Sequence, residues 1–342
     1  MSTLRIAWVI YGSLEQVSGG YIYDRLVVEH LRALGDEVTI ISLDPNGGSP
    51  PELLREDYDA VLGDELCFRE LGPLFRSAPA GLRRVLLIHH LTAWEHPPGA
   101  VRDELLAMEK AAIDAADAWL ATSHVTADRL QHERLASQVT VAEPGADRFE
   151  RFASAGQEPA GARLRLLFVG NIQPRKRVLE LAHAFAELNG EQAELVLAGA
   201  ELEPAYASEV REVTARANVG NRVHWLGSLT AARVAEQMSL ADVLVLPSAL
   251  EGYGMVLSEA LWVGLPIIAA RVGAAEALVS RTGAGLLYEP EDPGGLARVL
   301  ESFVADRELR GQLRRAAANA GEDLPRWRDT ARAVRATLAQ SR

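Results

Sequence analysis

Short aliphatic runs alternate with amphipathic segments along this chain of 342 residues, and the alternation occurs twice. In the first array the runs are 4–10, 37–43, 59–66, 84–90, 118–123 and 138–142. Their continuous apolar character is that of strands buried on both faces, which parallel sheets require. Between the first two lies a helical segment, 21–34, in which Ile22, Leu26, Leu31 and Leu34 recur at near-helical spacing and Gly35 stands where the helix would end. Residues 150–163 (ERFASAGQEPAGAR) are polar and small with Gly and Pro, the composition of a linker. The alternation then restarts with 164–170, 194–199, 222–227, 243–247, 266–270 and 285–289, and a helical pattern over 324–340 closes the chain.

This pattern predicts an α/β protein with two doubly wound, Rossmann-like domains facing each other across a cleft. The expected limits are 1–155 and 162–322, with a terminal segment, 323–342, that crosses back to the first domain. Ligands in such sheets sit beyond the carboxyl ends of the strands, so the cleft is the expected site.

Composition narrows the partners. The net charge is −12, and residues 1–150 carry 13 Lys and Arg against 24 Asp and Glu. Such a surface repels nucleic acid and anionic lipid, and neither is an expected partner. Arg69, Arg76, Arg83 and Arg84 form the only candidate basic strip there, and they read as scattered solvated residues. The single cysteine, Cys67, excludes an internal disulfide. The start of the chain reads as a strand rather than a signal peptide, and no apolar run is long enough to span a bilayer, so a cytoplasmic protein is expected. Oligomeric state is not legible.

Three segments carry chemistry. The first is Tyr11–Gly20 (YGSLEQVSGG), a glycine-bearing loop at a helix start, where free amides and the helix dipole favour anions. It is not G-x-G-x-x-G, which argues against a nicotinamide site. The second, 170–177 (GNIQPRKR), sets Arg175, Lys176 and Arg177 at the end of a strand. The chain has only two lysines, Lys110 and Lys176, and a lysine at this point offers a compact charge on a flexible stem, suited to a phosphate oxygen. The third, 248–260 (SALEGYGMVLSEA), places Gly252 and Gly254 where backbone can approach a ligand, with Glu251 before them and Glu259 inside the following helix. Carboxylates accept paired hydroxyl hydrogen bonds, as a ribose or hexose offers.

The spacing of Glu251 and Glu259, with Gly252, Gly254 and Ala260, resembles the E-x7-E signature of retaining glycosyltransferases of GT-B fold, in particular glycosyltransferase family 4. Val169-Gly170 through Lys176, Gly273-Ala274-Ala275-Glu276, Gly285–Tyr288 through Asp292, and Trp327 with Thr330-Ala331 resemble further segments of that family. The resemblance implies that Lys176 contacts the donor diphosphate, Glu251 the donor sugar and Glu259 the ribose. Amides near Gly254, Met255 and Val256 would hold phosphate, beside Gly252 and Tyr253. Gly19 and Gly20 would lie near the sugar and diphosphate, Gly170 and Asn171 along the phosphates, and Leu226 near the base. The family often carries arginine where this chain has Asn171, and Arg175 is the nearest substitute cation. A histidine at the end of the fourth strand faces the reacting sugar in that family. His89 is favoured over His90 because it directly follows the apolar run, and His90 and Tyr21 fall on the acceptor side.

The function so implied is retaining transfer of a hexosyl group from a nucleoside-diphosphate sugar, first of all a UDP-sugar, to a hydroxyl of a small molecule or glycan. No cofactor and no metal are implied; the nucleotide sugar is a co-substrate. The alternatives are an epimerase or phosphorylase on the same fold, and a non-catalytic sugar-binding subunit. Asp57-Tyr58-Asp59 mimics the metal motif of the other glycosyltransferase fold, but it precedes a strand and reads as a polar lead-in.

Overall fold

The computed structural model describes residues 2–44, 57–151, 163–188, 192–217 and 219–340; most of the expected linker lies outside them. The chain forms two compact units, Met1–Gly145 with Pro325–Arg342, and Ala146–Leu324. Each is built on one six-stranded sheet in which every pairing is parallel.

In the first unit the strands are β1 (Arg5–Tyr11), β2 (Glu37–Leu43), β3 (Ala60–Asp64), β4 (Arg83–Ile88), β5 (Ala118–Ala121) and β6 (Val139–Val141). Their order is β2-β1-β3-β4-β5-β6, so the order reverses between β1 and β3. Ile6 to Ile10 are fully buried, which is why β1 can stand inside the sheet with helices on both faces. The third strand is shorter than its apolar run predicts. It stops at Asp64, whose carboxylate accepts from Leu66 N at 2.7 Å and turns the chain into a single 3-10 turn, Glu65–Cys67.

The first helix, Gly19–Ala33, corrects the sequence reading twice. Gly19 and Gly20 are its first turn rather than part of the preceding loop. Its buried face is Tyr21, Tyr23, Asp24, Val27, Val28 and Leu31; of the expected stripe only Leu31 lies on it, while Ile22 and Leu26 are half-buried and Leu34 is exposed. The terminal helix, Trp327–Leu338, belongs to this unit. Thr330 Oγ1 donates to Glu143 O at 2.6 Å, Arg83 Nε to Thr337 O at 2.8 Å, and Arg335 pairs with Asp36 at 2.7 Å. Arg84 is chelated by Asp117 and Arg76 bonds Ala111 O, so the arginines of that region do not make a strip. Asp59 accepts from Arg5 N at 2.7 Å, which gives the Asp-x-Asp segment a structural task.

The second unit contains β7 (Leu164–Val169), β8 (Ala193–Ala198), β9 (Val223–Gly227), β10 (Val243–Leu246), β11 (Ile267–Ala270) and β12 (Gly285–Tyr288). Their order, β12-β11-β10-β7-β8-β9, reverses between β7 and β10. Ala146–Arg151 pack here: Trp262 Nε1 donates to Phe149 O at 2.7 Å. No helix of the described residues is long and apolar enough to cross a membrane.

Candidate active site

The second unit brings its two motif segments together at the place where strand order reverses. The loop after β7 carries Gly170, Asn171, Arg175 and Lys176, and the loop after β10 carries Glu251–Gly254. A crevice at such a switch point is where doubly wound sheets bind ligands. Pro174–Lys176 form a 3-10 turn, and Arg177 takes a left-handed conformation (φ 48°) that starts the next helix. The two loops are stitched by Ala249 N to Arg175 O at 2.9 Å and Arg175 Nη1 to Leu250 O at 3.2 Å. Lys176 Nζ then reaches Glu251 Oε1 at 2.5 Å. Burial alone would raise the Glu251 carboxyl, but the Lys176 charge and hydrogen bond, with help from Ser248 and Arg175, outweigh it and hold it below the usual range. Arg175 is therefore engaged with the Glu251 loop, while Arg177 faces Pro290 O and Glu180.

Gly254, at φ 75°, precedes the helix Met255–Trp262, whose N-terminus no side chain caps. The first amides of a helix, here those of Met255 and Val256, have no intrahelical partner, which suits an anion. Gly273 (φ 49°) lies so close behind the loop that a Cβ there would stand 2.6 Å from Glu251 O, so a side chain would displace the glutamate. Gly252 and Tyr253 are half-buried beside it.

Glu259 lies one turn further into the helix and is 2% exposed. Its partner is Arg148, with Nε to Oε1 at 2.9 Å and Nη2 to Oε2 at 3.2 Å. Burial raises the Glu259 carboxyl to about 7 despite Arg148. Sequence reading missed Arg148 because it falls just before the expected linker. Leu226 is half-buried at the end of β9, next to Trp225, whose ring is covered by Arg211 at 4.0 Å.

The first unit holds a second cluster, at the carboxyl ends of β3 and β4. His89 Nε2 is 3.4 Å from Asp64 Oδ2 and 4.0 Å from Asp24 Oδ1. Its backbone N donates to Glu65 Oε2 at 2.8 Å, its carbonyl accepts from Thr126 Oγ1 at 3.1 Å, and Tyr23 stands edge-on to the ring at 5.2 Å. Gly20 lies against the same ring edge: a Cβ there would be 3.4 Å from Nε2. His90 turns elsewhere, to Glu95 at 2.7 Å, so the two histidines are sorted by their partners. Tyr21 OH donates to Tyr11 O, and burial pushes its phenol up to about 12. Asp24, Asp64 and His89 offer atoms within 4.8 Å of one another, a spacing that a cation could also use. At 3.4 and 4.0 Å the contacts within the group are those of facing charges rather than of tight hydrogen bonds, and Asp24 Oδ1, Asp64 Oδ2 and His89 Nε2 are all buried. Gly19, Gly20, Tyr21, His89 and His90 are thus grouped in one unit, and Gly170 to Glu259 in the other.

Comparison with known proteins agrees with this architecture. Residues 151–320, about half of the chain, match the family described as Glycosyl transferases group 1. The D-inositol 3-phosphate glycosyltransferase of Streptomyces avermitilis is 33% identical over 228 residues, 61% of this chain and 49% of the relative. That of Corynebacterium efficiens is 26% identical over 330 residues, 87% of this chain and 76% of the relative. The chain spans about half the length of the first of these relatives. Among solved structures, sucrose-phosphate synthase from Thermosynechococcus elongatus superposes with a TM-score of 0.81 at 23% identity, covering 97% of this chain and 98% of the other. Anabaena HepE, solved with UDP and glucose, superposes at 0.78 with 17% identity, covering 98% and 99%. With its second unit matched by the family and the GT-B fold shared along its length, the chain belongs to the group 1 glycosyltransferases, glycosyltransferase family 4.

Proposed function

We propose that this protein is a retaining hexosyltransferase that uses a nucleoside-diphosphate sugar, UDP-linked in the first instance, and glycosylates a hydroxyl of a small molecule or glycan. The observation that carries the reading is the Lys176–Glu251 contact at the switch point of the second sheet, with the Arg148–Glu259 pair one turn along the helix. A diphosphate seated over the Met255 and Val256 amides exchanges Glu251 for phosphate at Lys176 and frees Glu251 for sugar hydroxyls. Glu259 takes the ribose. As the diphosphate leaves, negative charge grows on it and positive charge on the ring. Lys176 and the helix amides stabilise the first, an effect worth about 10²–10³ in rate for a single well-placed donor. The acceptor attacks the face the diphosphate leaves, and the departing phosphate takes its proton. HepE, solved with UDP and glucose, supports the choice of donor.

A panel of nucleotide sugars tested by thermal shift checks the reading, because a true donor at about 100 times its Kd adds roughly 2.7 kcal/mol to stability. Stabilisation by a UDP-hexose, then UDP release on adding acceptors, is the expected result. D-inositol 3-phosphate belongs in the acceptor set, because relatives are named for it. The absence of any shift across the panel would sink the proposal. Transfer is expected to continue in EDTA; loss of activity restored by Mn²⁺ would show that a metal is needed.

Glu259 adds a pH dependence. Its carboxyl, raised to about 7, contributes stability that is full below the ordinary carboxylate range and is lost as pH rises through about 7. Donor binding runs the other way, because only the ionised carboxylate accepts both ribose hydroxyls. UDP should bind several-fold, on the order of 3–10-fold, more tightly at pH 8 than at pH 6. Glu259→Gln should flatten that profile, and Arg148→Ala should move its rise to higher pH. Calorimetric titrations at the two pH values decide it, and an unchanged slope in E259Q refutes the assignment.

A further inference from the structure

The first helix presents Asp24 on its buried stripe, in line with Val27, Val28 and Leu31. An aspartate at that position costs stability unless something pairs it. Asp24 is 0% exposed and Asp64 1%, and both turn toward His89, whose side chain keeps 15% exposure. Three elements converge there. Asp24 comes from the helix, Asp64 and Glu65 from the end of β3 and the turn after it, and His89 from the end of β4. Trp8 of β1 and Tyr23 complete the polar and aromatic surround, and Cys67, buried in the turn after β3, lies near Asp64. Three carboxyl groups and one imidazole cannot all ionise together in so small a buried volume. Electroneutrality is closest when one carboxylate pairs with an imidazolium and the others carry protons. Asp64, with the shortest approach to Nε2 and with its other oxygen accepting from Leu66 N, is the carboxylate best stabilised as an anion.

We propose that Asp64 is a positioning residue that keeps His89 as an imidazolium across the neutral range, with Asp24 as the protonated carboxyl that completes the cluster. The inference rests on the reading of His89 as a residue bordering the reacting sugar. It assigns that histidine a positive charge rather than the role of a base that takes the acceptor proton, and it leaves that proton to the departing diphosphate. The electrostatics agree with the geometry. Burial would lower His89, but Glu65, Asp64 and Asp24 together lift it to about 10. Burial would raise Asp64, yet His89 holds it below its usual value, while burial and Asp64 push Asp24 well above. By linkage, the His89 contribution to stability is complete below its unfolded value and persists until pH rises through about 10.

The test is an NMR titration of the full chain with 13Cε1-labelled histidine, the His89 signal assigned by its loss in His89→Gln. The His89 carbon should keep its imidazolium shift from about pH 5.5 to 8.5 in the parent. Asp64→Asn should bring its midpoint down into that window. Transfer by Asp64→Asn should then fall about 10-fold between pH 6 and pH 8 relative to the parent, in kcat rather than KM. A parent His89 that titrates near the ordinary histidine value overturns the proposal, as does a shift of its signal on dialysis against a chelator. Should Asp64→Asn not fold, the parent titration alone decides. Because the NMR needs no turnover, a charged His89 in a parent whose His89→Gln variant transfers normally would refute the site reading and leave the protonation inference standing.

Discussion

Lys176→Ala should lower the transfer rate by about 10²–10³ and weaken UDP binding by at least about 10-fold, whereas Glu251→Gln should lower the rate by a similar factor and leave UDP binding within about 3-fold of the parent. The asymmetry follows from what each end of the ion pair does once a donor arrives. Lys176 passes from Glu251 to phosphate, so its loss removes an interaction present with UDP alone and in the transition state. Glu251 passes from Lys176 to the sugar, which UDP lacks. Glu251→Gln keeps the shape and spares the loop stitched by Ala249 N and Arg175 O. The free protein is affected as well. Lys176→Ala takes from Glu251, 8% exposed, the cation it bonds and leaves only the weaker help of Arg175, and removing one member of a buried pair costs about 3–5 kcal/mol before the carboxyl takes up a proton. The double variant Lys176→Met, Glu251→Leu should recover much of that loss while remaining inactive. UDP calorimetry, initial rates and thermal melts of the four proteins separate these outcomes. Lys176→Ala that binds UDP as the parent does would place the diphosphate elsewhere.

Both residues, though not their contact, stood out in the sequence because each sits in a glycine-marked loop directly after a strand, where backbone geometry and residue type agree. Lys176 also stood out by the rarity of lysine. The first unit gave less away. Asp24, Asp64 and Glu65 are ordinary acidic residues when read one at a time, and only folding brings a helix face and a strand end to the same imidazole. One signal was present: positions 24, 27, 28 and 31 share a helical face, and an aspartate on that face marks a buried charge. Choosing the Ile22, Leu26, Leu31, Leu34 stripe hid it, because the half-buried Ile22 and Leu26 satisfied the same period. Arg148 was hidden differently. Its value depends on Glu259, 111 residues away, and no local pattern links them.

Gly199→Ala should be among the most damaging single substitutions in the second unit, although no sequence motif singles Gly199 out. Gly199 and Gly170 directly follow neighbouring strands, β8 and β7, and there the two backbones touch. A Cβ on Gly199 would lie 1.8 Å from Gly170 O and 3.1 Å from Asn171 N. Neither atom is the tip of a flexible side chain, so the added methyl must part the strand ends. These ends are also bonded: Gly170 N to Ala198 O at 2.9 Å and Ile172 N to Ala200 O at 2.7 Å. Overpacking a core costs about 1–3 kcal/mol where side chains can yield, and more is expected where only backbone can. A loss of about 3 kcal/mol or more corresponds to a fall in Tm of roughly 6–12 °C for a unit of this size. The displaced segment leads straight to Lys176, so UDP affinity should fall about 10-fold as well, since a small misplacement of a positioning group carries a cost of that order or larger. Gly220→Ala, where an added methyl would come no nearer than 4.0 Å to another atom, is the control and should change neither quantity. Equal melting temperatures for the two variants would mean that the strand ends do not meet as described, and the route from sheet to phosphate seat would need another origin.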